Sequence, residues 1–186
     1  MVNLLTDPLL QHVVALALAA LFGTAAWHKW AAQERFSLTL QEYGLPQSGV
    51  GFVAVALAGV ETLLCIGLTL PGTRRLAAVG AIVVLLAYGL ALARAVTEGR
   101  SIADCGCGPG APQPVHATLV VRNLLLAAAA GSLLPVPATR GLAGADGLVG
   151  VVAIATFAVL YAALNTLLAN QPGSRWLAAG EGGEHG

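Results

Sequence analysis

Long apolar runs alternate along this chain with short clusters of glycine, proline and charge. Five runs reach the roughly 20 residues that a helix needs to cross a bilayer. They cover about 9–30, 49–70, 76–96, 115–134 and 147–169. In hydrocarbon each backbone polar group must find its partner inside its own segment, so an unbroken apolar run of this length predicts a helix. Gly44-Leu45-Pro46, Pro71-Gly72-Thr73, the stretch 106–114 and Pro135-Val136-Pro137 fall between the runs, where turns are required. The pattern predicts an all-α, polytopic membrane helix bundle, with a four-helix core plus a fifth C-terminal transmembrane helix. One domain then occupies 1–170 and residues 171–186 read as a flexible tail, whose last stretch, 180–186 with Glu181, Glu184 and His185, has nothing to bury.

Composition fixes the solvent of this bundle. With 57% hydrophobic and 10% charged residues and a mean hydropathy of +0.79, the chain is far from the soluble balance. Function must then reside in the bundle and its loops. Zero net charge and few basic residues exclude a nucleic-acid partner. Asp7 stands where a secretory signal carries Lys or Arg, so the first run reads as a retained helix. Five spans put the first connection, the 97–114 loop and the carboxyl terminus on one face. Lys29, Arg35, Arg94, Arg100 and Arg175 lie on that face, against Arg74, Arg75 and Arg140 on the other, a small bias placing it in the cytoplasm.

Ionisable residues at membrane depth are costly and mark function. Glu61 lies near the midplane, roughly 18 Å from the loop face, and Arg122, followed by Asn123, lies roughly 10 Å from it. An opposite charge lowers the cost of each. His28 and Lys29 close the first span on that face and Arg94 nearly closes the third, so basic groups collect at one end of the bundle.

The same end carries Cys105-Gly106-Cys107. Neighbouring cations lower a thiol pKa and favour the reactive thiolate, and Arg122 is the best local cation. A disulfide closed across one residue is strained, hence suited to exchange rather than stapling. Against this stands the bland reading of two small residues in a flexible loop, since Cys-x-Cys is a weaker signal than Cys-x-x-Cys. Two thiolates also suit Cu(I) or Hg(II), as a soft-metal carrier aided by Glu61, whereas a zinc shell is left half empty. A third reading is a noncatalytic membrane subunit of a larger complex. Cys65 lies roughly 20 Å or more from the loop pair in a straight helix and reads as packing, with a redox relay as the alternative. Trp27, Trp30 and Trp176 read as interface anchors, His12 as a solvated or packed side chain, and His116 as a proton carrier or a solvated helix end.

An ordered string of motifs, His28-Lys29-Trp30, Arg35-Phe36, Tyr43-Gly44-Leu45-Pro46, Glu61, Gly99-Arg100, Asp104-Cys105-Gly106-Cys107-Gly108 and Arg122-Asn123, resembles the methylamine utilisation MauE family, akin to the DoxX-like membrane proteins. The family commonly has an aromatic after Cys-Gly-Cys, where this chain has Gly108-Pro109-Gly110. The resemblance covers about residues 10–135. It implies a multi-pass protein of the bacterial plasma membrane acting in disulfide metabolism of exported proteins. It further implies Cys105 and Cys107 as the exchange pair of a thiol:disulfide oxidoreductase, supported by Glu61, Arg122, His28 and Lys29. The expected partners are a thioredoxin-like protein or an exported protein disulfide. A quinone in the bundle or another thiol protein completes the electron route.

Overall fold

The computed structural model describes residues 6–98 and 117–138, together with 148–153, 155, 156, 159, 162, 163 and 166. The Cys105-Gly106-Cys107 loop, His116 and the tail from 171 lie outside the described residues. Among the described residues five helices have defined bounds: α1 Pro8–Ala31, α2 Gln33–Glu42, α3 Gln47–Thr69, α4 Arg74–Thr97 and α5 Ala117–Gly131. Among the described residues there is no strand, and α1, α3 and α4 are long and apolar enough to cross a membrane. The shorter α5 is also apolar. The described residues between 148 and 166 are helical, and Gly150 lies against Leu9 and Val13 of α1.

Local chemistry sets the helix ends. The Asp7 side chain caps α1 by accepting from the backbone N–H of Leu9 and Leu10, and Pro8 occupies the first turn, where its missing donor costs nothing. A break at Ala32 separates α1 from α2. The end of α2 is a Schellman turn: Gly44 adopts φ 93°, Leu45 N–H donates to Leu40 and Gly44 N–H to Gln41. Only glycine takes that φ without penalty, and Leu45 then packs back onto the cluster of Leu40, Val50 and Ala54. Pro46 follows and starts α3, so α1 and α2 together run antiparallel to α3.

Small residues let the helices approach. A Cβ at Gly67 would stand 2.9 Å from that of Ala77, and one at Gly80 would stand 2.8 Å from a Leu64 methyl, which fixes the close α3–α4 crossing. At the α1–α3 crossing Gly23 accommodates Cys65, whose Sγ lies 3.1 Å from where a Cβ would be. The core joins Leu18 and Phe22 of α1, Leu68 of α3, Ala78 and Leu85 of α4, and Ala130 of α5. Leu63, Leu76, Leu90 and Leu125 point outward, as expected where the surroundings are lipid. At the end opposite the cysteine loop, the buried Gln11 amide donates to the Ser132 and Pro135 carbonyls, and Ala138 N–H bonds Thr6. Two carbonyls of the turn that follows α5 are thereby satisfied inside the bundle.

Candidate functional site

Three spans contribute to a buried charged cluster. Lys29, in the last turn of α1, and Glu61, on α3, are only 3% and 1% exposed. The Lys29 ammonium donates to both carboxylate oxygens of Glu61, at 2.8 and 2.9 Å. Tyr88 of α4 donates its phenol to Oε1 of the same carboxylate at 2.7 Å. Burying a carboxylate without partners is costly, and three charge-assisted hydrogen bonds offset that cost. The ammonium also lies 4.9 Å from the centroid of the Phe36 ring and 5.6 Å from that of Tyr88. Next to the ion pair, the indole N–H of Trp30 donates to Thr62, which ties α1 to α3 one residue further along each helix.

Two cavities border the charged cluster. A small one of about 20 Å³ is lined by Glu61, Tyr88, Arg122 and Asn123 with apolar residues of α1, α4 and α5. Asn123 is buried and bonds the Leu119 carbonyl, and its Cβ lies against the space of Gly89. The larger cavity, about 470 Å³, runs between α2, the first half of α3 and the last turns of α4. Lys29 and Tyr88 stand at its inner end, and Arg94 and Glu98 line it at the end of α4 from which the cysteine loop departs.

The residues singled out in the sequence are distributed unevenly. Lys29 and Glu61 form the ion pair, and Arg122 faces the small cavity beside Glu61. His28 is exposed on α1, about 100° around the helix from Lys29. Cys105 and Cys107 lie outside the described residues. Cys65 is half-buried at the Gly23 crossing. Sequence reading passed over Tyr88 and Phe36 as site residues. A lone tyrosine in an apolar span carries no partner information, although a phenol at membrane depth needs an acceptor as much as Glu61 needs donors. Among the described residues no three His, Cys, Asp or Glu side chains converge as a metal site.

The family model for methylamine utilisation protein MauE matches residues 7–136. A methylamine utilization protein MauE of Paracoccus denitrificans is 34% identical over 170 residues, covering 90% of this chain and 91% of the relative. Its counterpart in Paracoccus versutus is 34% identical over 164 residues, 87% of this chain and 88% of the relative. That of Methylorubrum extorquens is 33% identical over 143 residues, 74% and 77% of the two chains. No solved structure matches the chain. The matched region contains all five helices and the whole Lys29–Glu61–Tyr88 cluster, and the chain belongs to the MauE family of membrane proteins.

Proposed function

We propose that this protein is a five-span thiol:disulfide oxidoreductase of the bacterial plasma membrane. It acts through Cys105 and Cys107 on an exported disulfide-containing protein of methylamine utilisation or on its thioredoxin-like partner. The observation that carries the reading is the Cys-Gly-Cys sequence on the connection between α4 and α5, the two helices that bring Tyr88 and Arg122 to the buried Glu61. A membrane protein with little charge to spare keeps Lys29, Glu61 and Arg122 in the bundle that anchors this dithiol. Intramembrane charge of this kind marks function.

In the exchange, the thiolate of one cysteine attacks a partner disulfide, forming one S–S bond and releasing one partner thiolate. The second cysteine then attacks the mixed disulfide, which releases the other partner sulfur and closes Cys105–Cys107. Two electrons pass to the partner, and the reverse sequence oxidises it. Arg122 supplies positive charge near the start of α5, which favours the thiolate.

The test is a Cys107→Ser variant expressed with its native partners. A reductant-sensitive adduct is expected, and it disappears in the Cys105→Ser/Cys107→Ser variant. Thiols that stay permanently reduced and form no partner adduct would overturn the reading, and stoichiometric Cu(I) retention by the same two cysteines would replace it with metal carriage.

A further inference from the structure

We propose that the 470 Å³ cavity between α2, α3 and α4 binds the ring of a membrane quinone, with Lys29 and Tyr88 at its carbonyl end. The inference rests on the redox reading above, run in the direction that oxidises the partner, and supplies the electron acceptor for the dithiol so formed. The cavity falls within the 300–1,000 Å³ typical of small-molecule sites, and its lining is mostly apolar, with a few polar groups gathered at defined points. Phe36, Tyr43 and Tyr88 provide aromatic walls, and Leu40, Leu57 and Leu92 provide aliphatic ones. An acyl chain would be satisfied by the aliphatic part alone, so the chemistry of the inner end decides the class of ligand.

An ammonium has three N–H donors, and two of those on Lys29 go to Glu61. Among the described residues the third has no hydrogen-bond acceptor, and it belongs to a side chain that lines the cavity. A carbonyl oxygen entering the cavity supplies that acceptor. The Lys29 charge is already balanced by Glu61, so a fatty-acid carboxylate or a phosphate would bring an unbalanced negative charge to a neutral pair. A neutral carbonyl meets no such repulsion. After two-electron reduction the same oxygen becomes a hydroxyl, whose lone pairs still accept the Lys29 N–H. Held in place by Glu61, the Lys29 ammonium can therefore donate to either state of a quinone/quinol couple.

The step balances. The Cys105–Cys107 dithiol loses two S–H protons and two electrons and gains one S–S bond, and the quinone gains two electrons and two protons to become the quinol.

The measurement is thermal unfolding of the purified full-length protein in detergent, titrated with decylubiquinone. A saturable rise of several degrees at one ligand per chain is expected, by mass action on the folded state. Decylbenzene, which lacks the carbonyls, is expected to bind at least tenfold more weakly, the order set by one hydrogen bond to a charged donor. Palmitate is expected to give no saturable shift. Filling the cavity from either wall, with Ala91→Phe on α4 or Leu57→Trp on α3, is expected to weaken decylubiquinone at least tenfold, and either folded variant suffices for the comparison. The Cys105→Ser/Cys107→Ser variant keeps wild-type binding. Absence of saturable binding overturns the proposal, as does equal affinity for decylbenzene or palmitate, or a folded, filled variant that binds like wild type. Quinone binding without any partner adduct keeps this site and removes the exchange reading, whereas an adduct without quinone binding does the reverse.

Discussion

Removing the lysine of the buried pair should cost far more than removing both of its charges. At 2.8 Å the Lys29–Glu61 attraction is about 6 kcal/mol for an effective dielectric of 20, and desolvating two ions costs several kcal/mol each, so the intact pair contributes little net stability. Lys29→Met keeps most of the side-chain volume but leaves Glu61, 1% exposed, with only the Tyr88 phenol as a hydrogen-bond donor among the described residues. The expected loss is about 3 kcal/mol or more. For a chain of this size that corresponds to a fall of roughly 6–12 °C in the unfolding midpoint. Lys29→Met/Glu61→Leu removes the orphaned charge and should recover to within about 1 kcal/mol of wild type. Detergent-solubilised protein, followed by tryptophan fluorescence during heating, gives both numbers, and the two single variants with the double complete a cycle. The double variant should still lose partner-adduct formation, because the charged cluster is then absent. A Lys29→Met loss below 1 kcal/mol, or a double variant no more stable than the single, would refute a desolvated ion pair at this position.

Three further outcomes follow from the packing and hydrogen bonds. Tyr88→Phe removes one hydrogen bond to the carboxylate and should lower stability by about 1.5–3 kcal/mol in the same heating assay, with no effect if the phenol is not held by Glu61. Gly67→Ala places a methyl 2.9 Å from the Ala77 Cβ and should cost about 1–3 kcal/mol, whereas Gly59→Ala, with nothing within 4 Å, should be neutral or stabilising by about 0.5–1 kcal/mol. Gln11→Leu strips the donor from the Ser132 and Pro135 carbonyls and should cost about 1–3 kcal/mol, read as an earlier unfolding midpoint.

The helical membrane character was legible because hydrocarbon imposes one rule on every residue of a span. Runs of Ala, Leu and Val without charge therefore announce helices wherever they fall. Glu61 was legible for the complementary reason, as a carboxylate interrupting such a run. Its partner was not. From the sequence, Arg122 and Lys29 are both basic residues on the same side of the bundle, and only the antiparallel register of α1 against α3 brings Lys29 to bidentate distance. Tyr88 and Phe36 are ordinary apolar-run aromatics until α4 and α2 are folded around that pair. The break at Ala32 and the helix α2 behind it were likewise hidden in a stretch that reads as a connection.

By itself, the sequence determined that this is a helical membrane protein carrying a cysteine pair, a buried carboxylate and a string of MauE-family motifs, because hydropathy and residue identity are properties of each position alone. The tertiary structure decided which cation neutralises Glu61, that a tyrosine completes the cluster, and that α2, α3 and α4 leave a cavity against it. Those facts depend on the rotation and register of helices held at glycine contacts, and residues 27 to 59 positions apart meet only after the bundle has closed.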